Sequence, residues 1–360
     1  MRSLRPAAVL VSIAVALAVP GVAQADDIRD GQWHLTSLDL PAAHEISTGD
    51  GIVVGLIDSG VDAQHPDLVS AVTAGKALSG SFDPLTDSTG TGTAVASILA
   101  GRGHGEAGAD GVLGVAPGAT VMSVSVADTA IGGGQYIAEA VKFLTDSGVD
   151  VIALTAKHSF NEPTQDGIRA AAQASIPVVV PAGSVEGGNY SEVVTAIAVD
   201  AQEQHLEGTT PAAGAQYSVA APAQDIPAAA PGEQYASVSG TAAAAAIIAG
   251  TLALIKSSQP GLAGPALIQY LLSEGTKPVP PGQEELLGQG LVDPLAALST
   301  GGGPENPGST DEEATDGALS AGASGGSPDP LLIAGIALAG LLSQVALVGY
   351  ARLAGRRKVA

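Results

Sequence analysis

The chain contains no cysteine, which excludes a disulfide framework, a thiolate metal site and a cysteine nucleophile. Aromatic residues make up only 3% of its 360 positions, so it offers little stacking surface for bases, and nucleic acid is not an expected partner. Basic side chains are scarce as well. Between Asp26 and Asp329 only 8 stand against 36 acidic ones, and the net negative balance favours solubility and repels anionic surfaces and acidic substrates.

What is present is small and apolar. Alanine is abundant and glycine occurs 48 times, a composition suited to close helix–sheet packing, and the length leaves room for one large domain with a full core. Residues 1–25 read as a signal peptide: Arg2 and Arg5, an apolar stretch from Ala7 to Val19, then Ala23, Gln24 and Ala25 as an AxA cleavage site. At the other end, residues 330–351 form an uncharged stretch long enough to span a membrane, and the tail 352–360 carries Arg352, Arg356, Arg357 and Lys358. Export and a basic tail together predict a single-pass protein of the cell membrane, its main domain extracytoplasmic and its C-terminus cytoplasmic. Residues 299–328 are rich in Gly, Ser, Pro and acidic side chains, with too little apolar surface to offset chain entropy, and read as a flexible tether.

The domain between, 26–298, alternates two patterns. Apolar runs such as GIVVGLID, ATVMSVSVA, VDVIALTA, IPVVVPAG and VVTAIAVD lack polar alternation, as strands buried on both faces do. Helical stretches such as GQYIAEAVKFLTDSG and TQDGIRAAAQAS lie between them. The order predicts an α/β fold with a mostly parallel central sheet and helices on both faces. In the first helix, Ala138, Val141, Phe143 and Leu144 are expected on the apolar side, with Gly148 as the stop.

Three segments could carry chemistry. Asp58 follows an apolar strand, at the end where open parallel sheets build their sites, and an aspartate there could orient a histidine. The segments STGTGTAVASILAGRG and SVSGTAAAAAIIAGTLALIKSS each read as a glycine turn followed by a buried helix. No cofactor is implied. His44, His158 and His205 are isolated and no DxDxDG loop occurs, so no metal site is expected.

Taken together, the three segments resemble the subtilase family of serine peptidases, whose motifs carry Asp, His and Ser in that order. Ile57, Asp58, Ser59, Gly60 and Val61 match the first motif, with His65, Pro66, Asp67 and Leu68 after it as a structural turn. Gly90, Gly92, Thr93, Val95, Ala96, Ala100 and Gly101 match the second motif, but Thr91 stands where the histidine belongs. Gly240, Thr241, Ala244, Ala249 and Gly250 match the third, but Ala242 stands where the serine belongs and Ala246 where a proline does. Ser184 occupies the position of the family's oxyanion asparagine. The likeness extends from Trp33 to Leu298, and with the tether and C-terminal span the layout is most similar to the mycosins, the subtilases associated with type VII secretion.

What the resemblance implies is therefore a subtilisin-like fold with a degenerate triad. Acyl transfer needs a nucleophile, a base and oxyanion donors. Ala242 supplies no oxygen, and a threonine hydroxyl at 91 accepts no proton near neutral pH. Ser239, Thr241 and His104 lie at the wrong offsets to substitute. The expectation is a membrane-anchored pseudoprotease, a scaffold or binding component linked to a type VII-like secretion complex. The alternatives are an active serine endopeptidase using an unrecognised constellation, and a module that binds a peptide segment by strand addition.

Overall fold

The computed structural model describes residues 23–300, apart from 79–82, 127–132, 156–160, 185–191 and 210–214. The expected membrane span and basic tail lie outside these residues, as do nearly all of the signal peptide and tether, and His158.

Three helices open the chain, α1 (Ala23–Gly31), α2 (Trp33–Ser37) and α3 (Leu40–His44), followed by β1 (Val53–Asp58) and β2 (Val72–Ala77). Helix α4 (Thr91–Ala100) leads to a hairpin of β3 (Arg102–His104) and β4 (Asp110–Leu113), then β5 (Thr120–Ser125). Next come α5 (Gly133–Ser147), β6 (Val151–Leu154), α6 (Glu162–Gln173), β7 (Val178–Pro181), β8 (Val193–Val199) and β9 (Tyr217–Pro222). A second hairpin, β10 (Ile226–Ala230) with β11 (Gln234–Val238), feeds α7 (Thr241–Ser258). The last elements are α8 (Gly264–Glu274), β12 (Thr276–Lys277), α9 (Glu284–Leu287), β13 (Leu291–Val292) and α10 (Pro294–Ser299).

Among the described residues, nine strands form one sheet in the order β12-β13-β9-β8-β7-β6-β1-β5-β2. Every pairing is parallel except that of β12 with β13. Each apolar run in the sequence is one of these strands, and β6, β7 and β8 are buried throughout. That burial explains why they show no polar alternation: both faces are covered. One face packs against α4 and α7, where Val54, Leu56, Val179, Ala196 and Ala198 meet Val95, Ile98 and the alanines of α7. The other packs against α5 and α6, where Ile57, Val124, Ile152 and Val178 meet Leu144 and Ile168.

Two details differ from the sequence expectation. The buried stripe of α5 is Ile137, Ala140, Val141 and Leu144, whereas Ala138 and Phe143 are only partly buried. The i, i+3, i+4, i+7 spacing keeps one face toward the sheet, and Phe143 falls at its margin, beneath the Lys76 ammonium 5.9 Å from the ring centre. The stop is where it was expected: Gly148 adopts φ +71°, the left-handed conformation that ends helices at low cost in glycine. Helix α7, by contrast, is apolar and long enough to cross a membrane, yet 78% of it is buried inside the domain. It is the central core helix, and its composition reflects burial on all sides.

Candidate functional site

Parallel strands end together, so the loops that follow β1, β6 and β7 gather at one rim of the sheet. Asp58 is the last residue of β1, Thr155 follows β6 and Ser184 lies just beyond β7. Helix α4 begins at this rim with Thr91. The approach is close: a Cβ placed on Gly92 would lie 1.9 Å from the Gly60 carbonyl oxygen and 3.3 Å from the Asp58 Cβ. Only glycine fits there, and this is why the second motif carries one beside the first.

The Asp58 carboxyl is buried and locally satisfied. It accepts from the Ser59 amide at 2.7 Å and from the Thr155 hydroxyl, and the Ser59 hydroxyl lies 3.1 Å away. Thr91 is not among its partners. The Thr91 side chain is exposed, and its hydroxyl lies 3.1 Å from that of Thr89, whose proton goes to the nearer Ser59 oxygen at 2.8 Å. Burial pushes the Asp58 pKa up; the bonds from Thr155 and Ser59 oppose that shift, and the Asp87 charge adds to it.

Asp87, to which the sequence reading assigned no role, organises the start of α4. One carboxylate oxygen accepts from the Ser59 hydroxyl at 2.7 Å and from the amides of Thr89 and Gly90 at 3.0 and 2.9 Å. The other accepts from the Thr93 amide at 2.8 Å and the Thr93 hydroxyl at 2.6 Å. Ser59 has one hydroxyl proton, and the shorter contact assigns it to Asp87 and not to Asp58. Burial raises the Asp87 pKa, but these hydrogen bonds outweigh it and hold the group below the usual carboxylate range. The N-cap of α4 is Gly90, so Asp87 reaches the first turn from three residues upstream and not from the usual capping position.

The remaining positions are less connected. Ala242 is the second residue of α7 and is partly buried against the core. Ser184 is buried at 1% exposure, and its hydroxyl has no partner among the described residues. The offset residues are engaged elsewhere: the Ser239 hydroxyl accepts from the Asp225 amide at 2.8 Å, and His104 lies on β3, its Nδ1 2.6 Å from the buried Asp67 carboxylate. The turn histidine His65 is buried, with Nε2 3.0 Å from the Gln234 carbonyl oxygen. Among the described residues no three histidine or carboxylate side chains are grouped as metal ligands.

The linkage of Asp58 gives a signed prediction. Because its folded-state pKa is raised, its cost is absent below the unfolded value and grows as pH rises through the folded one. Asp58→Asn keeps an acceptor for the Ser59 amide and removes the buried charge, and its NH2 donates to the Thr155 oxygen once the Thr155 hydroxyl turns to the Ile57 carbonyl 3.4 Å away. We expect its melting temperature to exceed that of the wild type at pH 8 and to match it at pH 4. An equal gain at both pH values would count against the charge as the cause.

The profile of the subtilase family matches residues 49–290. Subtilisin Savinase from Lederbergia lenta is 29% identical over 272 residues, covering 74% of this chain and 97% of that protein. Subtilisin E from Bacillus subtilis is 30% identical over 280 residues, covering 74% and 70%. Among solved structures, MycP1, described as a serine protease and an essential component of the type VII (ESX-1) secretion system, aligns with a TM-score of 0.61 at 24% identity over 76% of this chain and 89% of its own. MycP3, a protease from the type VII (ESX-3) secretion system, aligns with a TM-score of 0.59 at 25% identity over 78% and 90%. With its rim aspartate, its two rim helices and a profile match across two thirds of its length, the chain belongs to the subtilase family, and its structural neighbours include mycosins.

Proposed function

We propose that this chain is a subtilase without peptidase activity, an extracytoplasmic scaffold or binding component that works with a type VII-like secretion system. In this reading residues 26–298 form the working domain, 299–328 the tether, and 330–351 a membrane span that ends in a cytoplasmic tail. One observation carries it: at the starts of the two helices that begin at the rim, where α4 opens on Thr91 and α7 follows Gly240, whose amide donates to the Ala223 carbonyl just beyond β9 at 2.7 Å, Thr91 presents an exposed hydroxyl and Ala242, the second residue of α7, a methyl group. A methyl group cannot attack a carbonyl, and a threonine hydroxyl is no base at neutral pH. The mycosin neighbours, described as parts of secretion systems, support the setting.

The test is genetic complementation in the native host. Deleting the gene is expected to abolish export of the system's substrates, and the unmodified chain to restore it. A chain lacking residues 330–360 is expected to fail. Export that continues unchanged after deletion would refute the secretion role.

A further inference from the structure

The segment ahead of β1 is fastened to the domain by side chains that grip backbone groups. Arg29 donates to the carbonyl oxygens of Gly111 at 2.9 Å, Gly108 at 3.0 Å and Asp110 at 3.3 Å. The Gln32 amide pairs with Leu113 of β4 as a neighbouring strand would, donating to its carbonyl at 3.0 Å and accepting from its N–H at 2.9 Å. Trp33 Nε1 reaches the Gln224 carbonyl at 3.0 Å.

The next residue, His34, is wholly buried, and neither ring nitrogen has a partner among the described residues. A neutral imidazole always carries one N–H, so a donor is already buried without an acceptor; a proton adds a second donor and a charge. Among the described residues no counter-charge offsets this. Helix α2 packs against α3, whose titratable side chain, His44, is engaged with the Val115 carbonyl at 2.8 Å. Asp39 and Glu45, flanking α3, are exposed. In α1, Arg29 has the same sign as an imidazolium, and its guanidinium is committed to the β3–β4 hairpin. Burial is the one influence on the ring's titration, and it holds the pKa at about 3.

We propose that His34 makes the N-terminal segment an acid-released clamp: on protonation α2 leaves its seat against α3, and α1 and Gln32 leave the β3–β4 hairpin with it, while the nine-stranded sheet remains folded. Local release is the cheaper route because the described part of the segment, 27–38, buries only Gln32, His34, Leu35 and Leu38, whereas the sheet has a helical layer on each face. In the released segment the ring regains its ordinary pKa of 6.5. Linkage then raises the opening constant about 75-fold between pH 7 and pH 4.5.

Hydrogen exchange of the full-length protein, read by mass spectrometry on peptides covering 26–38 and corrected for intrinsic rates, tests this. The wild type is expected to show the rise of about 75-fold, and His34→Leu none, with peptides from β6 and β7 unchanged in both. Gln32→Ala is expected to open more at every pH while keeping the wild-type slope, and it stands in should His34→Leu fail to fold. Protection in 26–38 that is independent of pH in the wild type, or His34→Leu with the wild-type slope, overturns the proposal. So does Gln32→Ala with a flat profile.

Discussion

A fluorophosphonate probe is expected to leave the wild-type chain unlabelled and to label the Thr91→His/Ala242→Ser double variant at residue 242. In an intact subtilisin, losing the nucleophile or the base alone costs about 10⁶ in turnover, roughly 8 kcal/mol at the barrier. The two losses do not add, so either single reversion should recover almost nothing, and only the pair should act. The geometry favours recovery in the pair. A histidine at 91 starts α4 beside the β1 end, where Asp58 still lies, and a serine at 242 is the second residue of α7, in the turn that Gly240 opens. Adding Ser184→Asn should contribute a further 10²-fold or so, as one oxyanion donor does. Stoichiometric labelling of any wild-type serine would show that the chain is an enzyme after all.

The second large effect falls on stability. Asp87→Ala strips an acceptor from two hydroxyls and three amides at the entry to α4, and these groups are packed where water reaches only some of them. A lost cap costs about 1 kcal/mol and each donor left buried about 1 kcal/mol or more, so a total near 3 kcal/mol is expected. For a domain of this size that lowers the melting temperature by roughly 6–12 °C. The pH signature is opposite to that of Asp58. The depressed Asp87 pKa means its contribution is complete above the unfolded value and disappears as pH falls through the folded one. Asp87→Asn should therefore remove an acid-sensitive component of stability, and thermal melts at pH 3 and pH 7 measure it. A variant as stable as the wild type at neutral pH would show that solvent replaces the carboxylate.

These two predictions rest on different kinds of legibility. Thr91 and Ala242 are proposed as replacements because a family motif is a local string, in which a residue that departs stands out against matching neighbours. The role of Asp87 is not legible in that way, because it depends on where Ser59 is folded back, 28 residues earlier in the chain. Thr155, which holds Asp58, reaches it from 97 residues away and belongs to no motif of the triad.

By itself the sequence determined the layered α/β architecture, the strand ends that carry Asp58 and Ser184, and the stop of α5 at Gly148. All of these follow from periodicity, turn chemistry and the identity of single residues, which act over a few positions. Only the tertiary structure decided the states of the charged and polar groups. Asp58 bonds to Ser59 and Thr155 and not to Thr91; His104 pairs with Asp67; His34 is sealed in without a partner. Titration and hydrogen bonding depend on burial and on partners brought from distant parts of the chain, and neither exists until the sheet and its helices have closed around them.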